Sequence, residues 1–114
     1  MSDCIFCKIA NGEIPSQFVH EDDKCVAFKD IQPQAPFHIL IIPKEHIASA
    51  LEIDETNSSI VGHIFTVAAK IAREEGIDET GFRLVNNCGV DGGQTVGHMH
   101  FHMLAKRNLQ WPPG

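Results

Sequence analysis

The chain alternates between two hydrophobic periods, and the points where the period changes mark out its elements. Between Asn57 and Glu75 the apolar residues Ile60, Ile64, Val67, Ala68 and Ile71 recur three and four apart, joined by Val61, Phe65 and Ala72. That spacing predicts one amphipathic helix with a single buried stripe. Asp54, Thr56 or Asn57 is placed to cap its start, and Gly76 to close its end. The other apolar runs are short and strand-like. Phe37 to Ile42 is almost continuously apolar, which predicts a central strand covered on both faces and ended by Pro43. Residues 17 to 28 read as a hairpin that turns at Glu21-Asp22-Asp23, and Gly81 to Asn86 as a fourth strand. Cys4 to Ala10 reads as a short helix or turn stopped by Asn11-Gly12. The tail from Leu109 to Gly114 holds Pro112, Pro113 and the only Trp, so it cannot continue a helix or an inner strand.

The fifth strand carries the chemistry. In Gly97-His98-Met99-His100-Phe101-His102-Met103-Leu104 three histidines alternate with apolar residues. Residues two apart in a strand share a face. The pattern therefore predicts His98, His100 and His102 in one row, with Met99, Phe101 and Met103 against the core. Asp91-Gly92-Gly93-Gln94-Thr95 precedes the ribbon as a turn whose backbone can approach a phosphate closely. It joins the fourth and fifth strands as an antiparallel pair. The predicted fold class is α+β: a five-stranded antiparallel sheet with one long helix and a short N-terminal helix.

With 114 residues the chain is expected to be a single domain over 1–114. Its net charge of −6 argues against a nonspecific nucleic-acid binder or an anionic-membrane binder. A small anionic ligand remains open to it, through backbone N–H groups and histidines. No apolar run reaches the length of a membrane span, and Met1-Ser2-Asp3-Cys4 does not read as an export signal. Four cysteines without such a signal fit a reduced, cytoplasmic setting. Cys25 reads as core filler, and Cys88 lies in the loop before the glycine turn.

Residue types and spacing leave several roles open. The histidine row suits metal ligation, nucleophilic attack on phosphorus through a phospho-histidine, or a set of hydrogen-bonded, partly buried imidazoles. Strict alternation beside Gly-Gly-Gln-Thr favours a chemical role. Cys4-Ile5-Phe6-Cys7 can be half of a zinc site, a redox pair or two buried thiols. No second CxxC exists, so further zinc ligands would have to be histidines. His38 and His46 flank the third strand and are ambiguous by position. Asp30 follows a strand, where a carboxylate can accept ribose hydroxyls, although a turn residue before Pro33 is the plainer reading. Gly92 and Gly93 are, taken alone, ordinary hairpin glycines.

The segment His98-Met99-His100-Phe101-His102-Met103-Leu104 resembles the signature of the histidine-triad (HIT) family. Nearly the whole chain shares in the likeness. Cys4-Ile5-Phe6-Cys7-Lys8-Ile9, Glu13-Ile14-Pro15, Phe28-Lys29-Asp30-Ile31, Gln34-Ala35-Pro36, Ile42-Pro43-Lys44-Glu45-His46-Ile47, Asp91-Gly92-Gly93-Gln94-Thr95 and Trp111-Pro112-Pro113-Gly114 all look like its Hint branch. The resemblance implies a purine nucleoside phosphoramidase, a hydrolase that cleaves P–N bonds of adenosine 5′-monophosphoramidate and AMP-lysine-type compounds. It also implies a homodimer whose two sheets join. By position, His100 would be the nucleophile, forming a nucleotidyl-histidine that water hydrolyses. His102 would contact phosphate oxygens, and His98 and His38 would complete the catalytic cluster. Asp30 would bind the ribose, and Phe28 and Ile31 would belong to the base pocket. Asn87, Gly93, Gln94 and Thr95 would face the phosphate, with Trp111 counted among the substrate-binding residues. Cys4, Cys7, His46 and His98 would hold a structural zinc, and catalysis would need no cofactor.

Two departures stand out. Many members have Gly-Gly-Arg after the triad, where this chain has Ala105-Lys106-Arg107, and Lys29 replaces a residue that is often neutral or His-like. The competing readings are a nucleotide-binding regulatory protein with incidental hydrolysis, a dinucleoside polyphosphate hydrolase and a metal-handling protein. The Trp-Pro-Pro-Gly ending counts against the second of these.

Overall fold

A computed structural model describes residues 3–114. Met1 and Ser2, the start of the stretch read for an export signal, lie outside the described residues. The elements follow in the order α1 (Ile5–Ala10), β1 (Phe18–Glu21), β2 (Cys25–Lys29), β3 (Phe37–Pro43), α2 (Ser59–Glu74), β4 (Phe82–Asn86) and β5 (Phe101–Ala105). A short 3-10 turn, Ala50–Glu52, lies before α2. The five strands form one antiparallel sheet in the order β1-β2-β3-β5-β4. Strand β3 is central and buried along its whole length, as its continuous apolar run requires. Among the described residues no helix is long and apolar enough to cross a membrane, and all four cysteines are free thiols.

Each face of the sheet carries its own core. On one face Cys25, Ala27, Ile39, Ile41, Met99, Phe101 and Met103 pack against Ile64, Val67, Ala68 and Ile71 of α2. On the other, Val26, Phe28, Leu40 and Ile42 pack against Phe6, Ile9 and Ala10 of α1. Fully burying one such aliphatic side chain is worth about 1.5–3 kcal/mol, so the two layers together give the sheet a stiff centre. The six-residue α1 is too short to persist alone and depends on this packing. Cys4 caps it, its Sγ accepting the Cys7 N–H at 3.3 Å.

Three local expectations change. The ribbon is not a strand throughout: its ladder begins at Phe101, opposite Ile41. Strand β3 runs on to Pro43, but His100 and Met99 have left its ladder. The Met99 N–H instead donates to the Ile47 carbonyl (2.6 Å), and Asn86 Nδ2 donates to the His100 carbonyl (2.9 Å). The alternation of faces survives, with Met99 in the α2-side core and the histidines on the α1 side.

Helix α2 starts later than expected, after Ser58, which makes no side-chain cap. Asp54, Thr56 and Asn57 bond one another and form the preceding turn instead. Phe65 is 54% exposed rather than buried, because one position past Ile64 turns it about 100° off the stripe; its ring meets the edge of Phe101. Gly76 closes the helix as expected, at φ +74°. Lys106 also lies in the left-handed region, at φ +72°, a conformation that favours glycine.

Candidate functional site

On the α1 face the ribbon divides two polar clusters between its ends. His100 and His102 face His38 on β3 and Asp30, which follows β2. His98 faces Cys4, Cys7 and His46. Phe6 of α1 stands between the clusters, its ring edge-on to His98 (6.0 Å) and His100 (5.0 Å). His98, His100 and the neighbouring His38 are all below a tenth exposed, and His102 is half-buried.

Hydrogen-bond partners assign the protons in the first cluster. His100 Nδ1 lies 2.7 Å from the His98 carbonyl, which can only accept, so Nδ1 carries the proton and Nε2 an in-plane lone pair. His38 Nδ1 accepts the Gln34 N–H at 3.0 Å, so its proton is on Nε2. That Nε2–H donates to His102 Nδ1 at 2.9 Å. His102 in turn keeps its proton on Nε2. The result is a lone pair on His100 beside an N–H on His102, the pairing that attack on phosphorus and support of its oxygens require. Burial pushes His38 below its ordinary pKa against the opposing pull of Asp30. Burial, with His100 and His38 as neighbours, does the same to His102, again opposed by Asp30. Both shifts favour the neutral ring in the resting site.

The second cluster has a donor set that could hold a cation. His98 Nε2 donates to the Pro43 carbonyl (2.9 Å), which leaves the Nδ1 lone pair facing Cys4 Sγ (3.3 Å) and Cys7 Sγ (3.5 Å). Cys7 Sγ lies 3.2 Å from His46 Nδ1. All four ligand atoms fall within 4.8 Å of one another. A tetrahedral zinc with two sulfur and two nitrogen ligands has edges of roughly 3.5–3.8 Å, so the donor set fits that ion with small outward shifts. Burial and the adjacent Cys4 push the Cys7 thiol up, which makes a cation the natural means of deprotonating it. A groove of about 710 Å³ bordered by Cys4, Cys7, Lys8 and His46 gives the cluster an opening to solvent.

The remaining expected residues divide into those that line the histidine cluster and those that shape its surroundings. Phe28 is buried under Phe6, ring centroids 5.7 Å apart, and Ile31 is 93% exposed beside Asp30. Asn87 and Gln94, expected to face a phosphate, are engaged in bracing the loop. Asn87 Nδ2 donates to the Gly92 carbonyl. Gln94 accepts from the Gly89 N–H and donates to the Ala48 and Val96 carbonyls. Gly92 is obligatory, since a Cβ there would stand 2.3 Å from the Cys88 carbonyl oxygen. Gly93, at φ +78°, also braces the loop, its N–H donating to the Val90 carbonyl at 3.1 Å, while Thr95 is exposed. Trp111 is 83% exposed, and among the described residues no hydrogen bond or ring contact joins it to the histidines. Its segment is held by Arg83 on β4, which donates to the Leu109 and Gln110 carbonyls.

Two features carry no advance signal in the residue pattern. Gln34 acts through its backbone N–H, which any residue but proline supplies. The other is a knot on the α2 side. Asp22 Oδ2 accepts from His20 Nε2 (2.7 Å) and His63 Nε2 (2.8 Å), and Oδ1 accepts the Lys24 and Cys25 N–H groups. Burial disfavours the Asp22 charge, but these four donors outweigh it and hold its pKa well below the usual carboxylate range. Burial and the Asp22 charge push the neighbouring Cys25 thiol up to about 12. Every Asp22 acceptor is used and the thiol stays protonated, so this knot staples α2 to the β1–β2 hairpin.

Comparison with known proteins accords with this geometry. The family model described as scavenger mRNA decapping enzyme C-term binding matches residues 3–111. An uncharacterised HIT-like protein of Synechococcus elongatus is 51% identical over 112 residues, covering 98% of this chain and 97% of that protein. A 14 kDa zinc-binding protein of Brassica juncea is 46% identical over 114 residues, covering 98% and 100%. Among solved structures, a HIT family hydrolase from Legionella pneumophila superposes with a TM-score of 0.96 at 50% identity, covering 98% and 100%. A histidine triad protein from Clostridium difficile gives 0.94 at 56% identity, with 96% of each chain covered.

Proposed function

The chain belongs to the histidine-triad (HIT) family, and from that membership we propose that it is a nucleotide hydrolase acting on P–N bonds, a purine nucleoside phosphoramidase. The observation that carries this reading is the proton placement at His100 and His102: a nucleophilic lone pair on His100 Nε2 with an N–H donor on the adjacent ring. His100 Nε2 attacks the phosphorus of an adenosine 5′-monophosphoramidate or AMP-lysine-type substrate. The amine leaves, and water then displaces the nucleotide from His100. The His98 carbonyl holds the Nδ1 proton as charge builds on the imidazole, and the His102 N–H meets the phosphoryl oxygens. Asp30 would accept ribose hydroxyls, with exposed Ile31 covering a base and buried Phe28 backing the site.

Zinc belongs to this reading as a structural ion. Cys4, Cys7, His46 and His98 would hold it, and when bound it supplies a cross-link between α1 and the ribbon. The zinc-binding name of the Brassica juncea relative supports the assignment. The reading also takes the chain as one domain that forms a homodimer in the cytoplasm. The outer strand β4, with Phe82 exposed, offers an edge where two sheets can join.

The test is incubation of the purified protein with adenosine 5′-monophosphoramidate. Release of AMP by the wild type and its loss in a folded His100→Ala protein is the expected result. Equal release by both proteins overturns the mechanism. Tight AMP binding without turnover favours a regulatory nucleotide-binding protein.

A further inference from the structure

Asp30 stands where two N–H groups would otherwise collide. Its backbone N–H bonds the His38 carbonyl at 3.1 Å, which holds the carboxylate against the histidine pair. Oδ1 accepts the Gln32 N–H at 2.8 Å. Oδ2 lies 3.4 Å from His38 Nε2 and 4.0 Å from His102 Nδ1, and those two nitrogens are 2.9 Å apart. The Asp30 side chain is only 16% exposed, so water competes little for Oδ2.

In the neutral pair one proton bridges the rings, from His38 Nε2 to His102 Nδ1. His102 already carries a proton on Nε2, so a second must enter at Nδ1. That places two N–H groups head to head. His38 cannot yield by moving its proton to Nδ1, because the Gln34 N–H occupies that side. The remaining way out is for both N–H groups to turn toward one acceptor, and Asp30 Oδ2 is within reach of both. Other charged or titratable groups near the pair are few. His100 lies beside His102, ring centroids 5.2 Å apart. Arg107 bonds the Gln34 carbonyl. Helix α2 lies on the opposite face of the sheet.

We infer that Asp30, besides any contact with sugar hydroxyls, is a positioning residue that lets the His38–His102 pair hold the proton delivered to the leaving nitrogen. The inference deepens the phosphoramidase reading and rests on it for the substrate. His102 enters the step protonated on both nitrogens. His100 Nε2 forms a bond to phosphorus, and the P–N bond breaks with its electron pair on nitrogen. The Nε2 proton of His102 passes to that nitrogen, which leaves as a neutral amine. His102 is left neutral, its Nδ1–H directed to Asp30. In the second step water bonds to phosphorus and gives one proton to His102 Nε2. The bond from phosphorus to His100 breaks and returns its electron pair to Nε2, so the pair is recharged for the next turnover.

The test follows the histidine nitrogens of ¹⁵N-labelled wild type and Asp30→Asn by NMR across a pH titration without substrate. Asparagine keeps an oxygen for the Gln32 N–H, and the unchanged signals of His20 and His63 report an intact fold. The expected result is a fall of about tenfold or more in the His102 protonation constant, from loss of an opposite charge within 4 Å. His38 is expected to keep its proton on Nε2 throughout. The high-pH limb of phosphoramidate turnover should move down by the same factor, also with an alkyl phosphoramidate that has no ribose. A His102 titration unchanged by Asp30→Asn overturns the inference, as does a rate effect confined to ribose-bearing substrates. Wild-type protein that shows the NMR shift but cleaves no phosphoramidate overturns the substrate reading instead, and leaves the proton-holding pair standing.

Discussion

At His100 and His102 the chain fixes each ring through its Nδ1, whereas at His98, two residues earlier, Nδ1 is turned toward two thiols. Backbone groups set the protons at the first end: the His98 carbonyl for His100, the Gln34 N–H for His38 and through it His102. At the second end the Pro43 carbonyl fixes His98 so that its free nitrogen meets two sulfurs. The Asp22 knot makes the contrast sharper. It too gathers imidazoles and a carboxylate, yet its Asp22 oxygens accept four N–H groups, so no cation is called for. A cluster of ligating residues suits a metal where its donor atoms converge on one another and are not already taken up by N–H groups. On this basis we propose that one end of the ribbon serves chemistry on a substrate and the other holds an ion.

Several changes can break or sharpen that division. The largest effect is expected from His100→Ala, which should lower phosphoramidate turnover by roughly 10⁴-fold or more while zinc content stays at one per chain. Parallel loss of zinc would show that the two ends are one unit. Next comes removal of the metal. Cys4→Ser keeps an oxygen to cap α1 but removes a thiolate, so elemental analysis should find no stoichiometric zinc. Melting should fall by about 15 °C, corresponding to ~3 kcal/mol for a chain of this size. Turnover should fall much less than in His100→Ala, since the His98 carbonyl still holds the nucleophile. Wild-type protein without zinc, or with unchanged melting after chelation, would remove the metal assignment.

The smallest effect belongs to Asp22→Asn, expected to cost about 1–2 kcal/mol through weakened charge-assisted hydrogen bonds, with both ends of the ribbon unaltered. Its sign with pH follows from the depressed pKa of Asp22. As pH falls below about 4 the unfolded chain takes up a proton before the folded one does. The stabilisation is therefore complete above the unfolded pKa and is lost as pH drops toward the folded value. Acid denaturation monitored by circular dichroism should be shallower in Asp22→Asn than in the wild type. Equal slopes would show that the staple contributes nothing in acid.

Much of the fold is legible in local periods. The helical stripe, the two-sided β3 and the alternating faces of the ribbon each follow from residues close in the chain, because side-chain direction is set by backbone geometry over a few positions. Errors occur where residue type does not fix which of several bonding partners is taken. The ribbon pairs only from Phe101, because Met99 and His100 bond Ile47 and Asn86 instead of the end of β3. Asp54, Thr56 and Asn57 were equally good caps by type, and their mutual bonds turned them into a loop instead.

For the site, residue types and spacing alone determined that three imidazoles share one face beside a glycine turn, and that a CxxC lies near the start of the chain. Family likeness then grouped Cys4 and Cys7 with His46 and His98, as their spacing could not. Only the tertiary structure decided which nitrogen of each ring carries a proton. It did so through the carbonyls of Pro43 and His98 and the N–H of Gln34, groups that every residue or nearly every residue possesses and that no residue pattern can single out. The same holds for Asp22 and His63, whose partnership spans 41 residues. Periodicity records which way a side chain points, but the identity of the group waiting there depends on how distant strands and loops close upon one another.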